Sequence, residues 1–208
     1  MVYFVKKPRW VRHFYGDCTW EMPADDKVIY LTFDDGPDPL QTPFVLSQLE
    51  QYGAKATFFC IGRNVVEHPE LYAKVSDAGH AIGNHGFSHI DGWKSSNARY
   101  FADVAAASRV IESNLFRPPF GHVTWRQVSR LKQDDYRLKT ILWSVLSADF
   151  DEATAPETCL ANVLNNGQPG SIVLFHDSAV ASRNMRFALP RVLEHFSKEG
   201  YRFEAIRA

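Results

Sequence analysis

From Lys27 onward, short runs of β-branched and aromatic residues alternate with amphipathic segments that close on glycine. That alternation is the pattern of β-α units wound around a mostly parallel sheet. Seven apolar runs carry it: VIYLTF (28–33), ATFFCI (56–61), HAIG (80–83), LFR (115–117), TILWSV (140–145), SIVLF (171–175) and YRFEAI (201–206). Between the first two, TPFVLSQLEQYG predicts a helix with Thr42 as N-cap and Pro43 at the first helical position. Val45, Leu46 and Leu49 share one face, and Gly53 is the stop. HPELYAKVSDAGH repeats the device with Pro69 and Gly79. RFALPRVLEHFSKEG ends at Gly200, and Pro190 inside it either kinks that helix or marks its start. Residues 1–26, rich in aromatic and basic side chains, break the alternation and are expected to pack as a small extension on a domain formed by 27–208.

Length and charge narrow the picture. A chain of 208 residues with 45% apolar content suits one well-buried domain. Lys and Arg number 23 against 24 Asp and Glu, so nothing in the net charge of −1 calls for a nucleic acid partner. The three cysteines, Cys18, Cys60 and Cys159, are odd in number and far apart, which predicts buried thiols and no disulfide framework. No apolar run approaches the roughly 18 residues of a membrane span, and the basic N-terminus is not followed by a leader's apolar core. The expectation is a soluble chain, cytoplasmic or exported by a leader outside these residues, with its oligomeric state open.

The candidate chemistry follows the strands, as it should in a sheet whose ligands meet the carboxyl ends. Asp34 and Asp35 follow the first run, and His85 and His89 in GNHGFSH follow the third. RPPFG (117–121) follows the fourth, Asp149 the fifth, and His176 closes the sixth. Each piece is weak alone. Asp-Asp also occurs as Asp25-Asp26 and Asp134-Asp135, and eight histidines give roughly 0.3 chance pairs at i, i+4. Together, on five loops that meet at one rim, they describe a site. At i, i+4 on a helical turn, two imidazoles share a face and suit two nitrogens of one metal, with a carboxylate from another loop completing the set. Two His and one Asp fit zinc, and an N/N/O set also admits cobalt, nickel, manganese or iron. Gly86 stands where the HExxH metalloproteases carry their glutamate base, so the base comes from elsewhere, and Asp34 is the candidate.

TFDDGP, HGFSH, RPPFG and LFH, in this order and spacing, resemble the polysaccharide deacetylases of carbohydrate esterase family four, the NodB-like domain. The likeness spans about Lys27 to Arg207. It implies an α/β fold, a distorted seven-stranded β/α barrel, and metal-dependent removal of acetyl groups from sugars, typically N-acetylglucosamine. In that family the first Asp of the first motif is the base and the second is a metal ligand. The resemblance thus implies Asp34 as base, with Asp35, His85 and His89 as ligands of a divalent ion. On this reading the metal lowers the pKa of water toward about 7 and polarises the acetyl carbonyl. The backbone N–H of Phe120, aimed by Pro118-Pro119, meets the oxyanion. His176 protonates the leaving amine with Asp149 holding its imidazolium, and Arg117 orients Asp34 by a bidentate contact. Leu174, Trp143 and Phe150 would form an apolar slot for the acetyl methyl, although ordinary core is an equal reading of these three.

Three positions depart from the family pattern: Leu146 stands where another Asp is common, Phe150 where a Trp is, and Gly86 replaces a hydroxyl residue. They bear on substrate choice, since every residue assigned to metal, base and acid remains. Rival expectations are an O-acetyl esterase on xylan or another acetylated glycan, a metal amidohydrolase on small amides, and a non-catalytic glycan-binding module. Short or soluble glycans are expected over crystalline polymer. Trp93, Phe120 and Trp125 are equal candidates for stacking on sugar.

Overall fold

A computed structural model describes residues 4–6 and 16–207. Seven strands lie side by side in one parallel sheet: β1 (Val28–Asp34), β2 (Thr57–Cys60), β3 (Ala81–Asn84), β4 (Leu115–Phe116), β5 (Lys139–Thr140), β6 (Val145–Leu146) and β7 (Ile172–His176). Their order is β5-β4-β3-β2-β1-β7-β6, and an eighth strand, β8 (Arg202–Phe203), pairs with the start of β1. The sheet is curled into a half-barrel with helices on its outer face, the architecture expected of the NodB-like β/α fold.

Alternation along the strands decides what each face meets. Ile29, Leu31 and Phe33 of β1 point outward with Phe58, Val173 and Phe175. They pack on the apolar stripes of α1 (Gln41–Gln51) and of α7 (Ser182–Lys198), whose Met185, Leu189, Val192 and Phe196 recur at helical spacing. The intervening residues face the barrel interior, where Phe59, Leu146, Ile172 and Leu174 form a second cluster. Thr32 and Asp34 occupy the same parity on β1, and His176 does so on β7, so the pleat itself turns them inward. The shorter helices α2 (Gly62–Glu67), α3 (Pro69–Asp77), α4 (Asn97–Ala107), α5 (Trp125–Leu131) and α6 (Pro156–Leu164) fill the connections.

The structure corrects several expectations. TILWSV is two strands at opposite edges of the sheet: β5 pairs with β4, β6 pairs with β7, and residues 141–144 cross between them. Every residue from 140 to 146 is buried, so the run shows no polar face that would have revealed the break. Segments of the N-terminal extension line this seam. Lys6 bridges Val145, Thr19 bridges Ile141, and Glu21 bridges Ser171, while residues 1–3 and 7–15 lie outside the described residues. Helix α1 starts one residue before Thr42. Asp38 caps it by accepting from the N–H groups of Leu40 and Gln41, and the Thr42 hydroxyl is engaged with Asp177. Helix α7 begins eight residues before Pro190 and runs through it. The three cysteines are free and buried, as expected.

Candidate metal and catalytic site

Asp34 closes β1 on the inner face and is 3% exposed. A carboxylate buried to that degree needs a cation, and Arg117, at 0% exposure, supplies it: Nη1 donates to Asp34 Oδ1 at 2.8 Å. The contact has a single arm, so the expected bidentate pairing does not form. Three more guanidinium donors are engaged. Nη1 also reaches the Thr32 hydroxyl at 2.7 Å, Nε reaches the carbonyl of Ile141 at 3.2 Å, and Nη2 that of Leu142 at 3.0 Å. Those two carbonyls belong to the segment that crosses between the sheet edges, so Arg117 both fixes Asp34 and satisfies the seam. Its guanidinium lies 4.1 Å from the centre of the Phe59 ring.

Arg117 also reaches the next residue of the site through its main chain. His85 Nδ1 sits 2.7 Å from the Arg117 carbonyl, which requires the proton on Nδ1 and leaves the Nε2 lone pair free. Burial holds the His85 pKa at about 4, so the ring is neutral at ordinary pH. His85 Nε2 lies 3.6 Å and His89 Nε2 3.2 Å from Asp35 Oδ1, and the three ligand atoms fall within 4.8 Å of one another. Asp35 Oδ1 is buried and accepts no hydrogen bond. Burial alone would raise the Asp35 pKa, yet His89, His176 and His85 hold it well below the carboxylate range.

Such a triad suits a cation. Metal bonds of roughly 2.0–2.1 Å at tetrahedral angles separate ligand atoms by about 3.3–3.4 Å, in line with the spacing of Asp35 from the two rings. A neutral imidazole whose far nitrogen is anchored to a carbonyl is the usual form of a ligand histidine. Asp35, His85 and His89 fit a divalent metal.

The loop 85–89 is built differently from the helical turn expected there. Residues 85–89 are irregular, with Gly86 at φ 76° and His89 at φ 55°. Asn84 Oδ1 accepts from Gly86 N, and Asp103 on α4 accepts from the N–H groups of Phe87 and Ser88. A Cβ at position 86 would come within 2.8 Å of Asp103 Oδ2, which together with the positive φ favours glycine there. Asp35 (φ 80°), Phe120 (φ 60°) and Ala148 (φ 63°) are left-handed as well, so among the described residues four of the five non-glycine residues at positive φ lie in the loops of this site. Such conformations cost about 1–3 kcal/mol each and persist only where their surroundings enforce them.

On the other flank, Asp149 follows β6 and lies within 2.8 Å of His176 at two atoms. Oδ2 accepts from the His176 N–H and Oδ1 faces Nδ1. Ser147 donates to Oδ1, and Asn184 binds the carbonyls of Asp149, Asp151 and Thr154 from the start of α7. Burial works against an imidazolium here, but the Asp149 carboxylate overrides it, and the His176 pKa stands at about 9. Phe120 sits in a turn closed by the bonds Gly121 N to Pro118 O and His122 N to Pro119 O. Leu174, Trp143 and Leu146 are buried in the inner apolar cluster, with Phe150 packed against it edge-on to the His176 ring at 5.2 Å.

Asp177 was not anticipated. It is fully buried, accepts from Gly36 N at 3.1 Å and from the Thr42 hydroxyl, and its own N–H donates to the Asp34 carbonyl at 3.1 Å. Burial pushes its pKa well above the usual range. It joins the end of β7 to the loop that carries Asp35. Asp103 and Asn184 were missed for the same reason: each acts across long sequence separation on main-chain groups, and no local spacing marks such a role.

Comparison with known proteins places the chain in a family. The family model described as polysaccharide deacetylase matches residues 21–138. A peptidoglycan-N-acetylglucosamine deacetylase of Bacillus cereus is 39% identical over 92% of this chain and 92% of its own. A solved structure of a peptidoglycan N-acetylglucosamine deacetylase, in complex with 4-naphthalen-1-yl-N-oxidanyl-benzamide, superposes with a TM-score of 0.86 at 28% identity. It covers 96% of this chain and 95% of that one. A family 4 pseudoenzyme from Bacillus anthracis superposes with a TM-score of 0.79 at 26% identity, over 90% of this chain and 66% of its own. With its outward apolar strands, its inward Asp34 and His176 and its Asp-His-His triad, the chain belongs to the polysaccharide deacetylase family.

Proposed function

We propose that the protein hydrolyses the acetamido group of N-acetylglucosamine units in an oligo- or polysaccharide, using a zinc ion held by Asp35, His85 and His89. One observation carries this reading: Asp34, fixed by Arg117, lies beside the triad, with its Oδ2 3.8 Å from the ligand nitrogen of His85, and faces His176 across the strand pair. Cobalt, nickel or manganese would suit the same donors. The pseudoenzyme neighbour shares the fold, so the fold alone does not support catalysis; the joint presence of base, acid and ligands does.

When bound, the ion acts as a Lewis acid that favours deprotonation of water and polarises a carbonyl. Asp34 accepts the proton of the attacking water as the new C–O bond forms at the acetyl carbon. The Phe120 N–H donates to the oxygen on which charge develops. His176, kept cationic by Asp149, gives its proton to the nitrogen as the C–N bond breaks, releasing acetate and a free amine. Leu174, Trp143 and Phe150 exclude water around the acetyl methyl. Residues 27–208 form the catalytic domain in this reading, and the described parts of the extension, 4–6 and 16–26, brace the seam between β5 and β6, supported by the main-chain bonds from Leu146 N to Val5 O and from Leu142 N to Thr19 O.

Measured acetate release tests the proposal. Enzyme stripped by chelator and reloaded with zinc should deacetylate N-acetylglucosamine oligomers, and the stripped form should not. Release from acetylated xylan alone would replace the amide reading with an esterase. Sugar binding without release from either would make the protein a binding module.

A further inference from the structure

A row of aromatic rings leaves the site on the side of His89. The His89 ring lies 4.5 Å from that of Phe120, Phe120 lies 5.9 Å from His122, and His122 stacks on Trp93 at 3.9 Å with the planes within 7°. Phe120 is 57% exposed and Trp93 59% exposed. An exposed tryptophan on a loop would ordinarily sample several rotamers, and this one is fixed from several directions. Its Nε1–H donates to the Val123 carbonyl at 3.1 Å, and its N–H donates to Asp91 Oδ1 at 2.9 Å. Asp91 Oδ2 faces His122 Nδ1 at 3.0 Å and holds the supporting ring in place. Gln127 Nε2 donates to the Gly92 carbonyl at 3.0 Å, and a Cβ at position 92 would collide with the His122 carbonyl at 2.3 Å. Glycine therefore lets the two loops touch, and Gln127 locks them. Trp125, by contrast, has the Arg126 guanidinium 5.1 Å from its ring centre, which separates it from the other two stacking candidates.

We propose that Trp93, backed by His122, is a binding platform for a sugar residue of the glycan at least two units beyond the one whose acetyl group is cleaved, out of reach of a dimer. A pyranose presents one face of axial C–H bonds, which stacks on an aromatic ring while its hydroxyls stay in water. One face of the indole is taken by His122, and the residue as a whole is more than half exposed. A platform immobilised before binding costs little ordering entropy, so the stacking energy appears as affinity. The row begins at a metal-ligand histidine, so a chain with one acetyl group in the site can extend along it. This inference rests on the deacetylase reading and adds to it a preference for chain length.

Trp93→Ala tests it, with KM and kcat measured on zinc-loaded enzyme for the N-acetylglucosamine dimer and pentamer. The expected result is a KM for the pentamer raised roughly three- to tenfold, with kcat and the dimer's constants near those of the parent. Trp93→Phe, which keeps a ring and loses the Nε1–H bond, should recover part of that loss. An equal change for both substrates would mean a structural role and overturn the inference, as would no change for either. If the parent enzyme releases no acetate from either oligomer, the deacetylase reading fails separately. Calorimetric titration with the pentamer then decides the platform: weaker binding by Trp93→Ala supports it, and equal binding overturns it.

Discussion

Asp34 and His176 are register partners at the carboxyl ends of β1 and β7, both turned to the inner face of the half-barrel. Two adjacent parallel strands thus deliver the proposed base and acid to one rim without a loop having to place either. Each is then held by a partner from another part of the chain, Arg117 for the base and Asp149 for the acid. The pleat sets direction, and the buried partners set charge.

Arg117→Met removes the cation beside Asp34 and leaves the Ile141 and Leu142 carbonyls unpaired. Urea unfolding should show a loss of about 3–5 kcal/mol, the cost of stranding one member of a buried ion pair. Zinc affinity should fall far less than activity, because the Arg117 group that holds His85 is the main-chain carbonyl, which the substitution keeps.

For Asp149→Asn the readout is the pH profile. With the carboxylate present, the His176 pKa of about 9 lies above the ordinary 6.5, so the proton donor persists until pH approaches about 9. Without it, burial is opposed only by the more distant charges of Asp35 and Asp34, and the pKa falls. The alkaline limb of kcat should move down from near pH 9. Stability follows the same sign. The parent protein's gain from the raised pKa is complete below pH 6.5 and is lost as pH climbs through about 9, and the variant should lack this slope.

Asp103→Ala frees the Phe87 and Ser88 N–H groups and loosens the loop between His85 and His89, the proposed ligands. Zinc affinity, measured by competition with a chromophoric chelator, should fall 10–100-fold, the usual effect of losing support behind a metal ligand. Activity at saturating zinc should return toward that of the parent.

Gly36 and Asp177 should be energetically coupled. A Cβ at position 36 would lie 2.2 Å from Asp177 Oδ2, so Gly36→Ala forces the carboxyl out of its place. In an Asp177→Ala background the same change meets open space. A double-mutant cycle on unfolding free energy should show the glycine substitution costing about 1–3 kcal/mol less in the second background.

The strands and the rim residues were readable because both are local. An apolar run ending in Asp34-Asp35, or in His176, names its own position in a β-α unit. The rest was not local. The break inside 140–146 lies in a segment buried throughout, where apolar periodicity carries no phase. The i, i+4 spacing of His85 and His89 suggested a helical turn, while the loop takes its shape from Gly86 and Asp103. Asp103, Asp177 and Asn184 bind main-chain atoms 15 to 141 positions away, and only the fold reveals them.

The most direct test of the central claim is Asp34→Asn, with bound zinc and released acetate measured on the same preparation. Asp35, His85 and His89 are intact in this variant, so it should hold one ion per chain while acetate release from N-acetylglucosamine oligomers falls about 10²–10⁴-fold, the contribution of a general base. A variant that keeps its zinc and deacetylates at the parent rate would contradict the account.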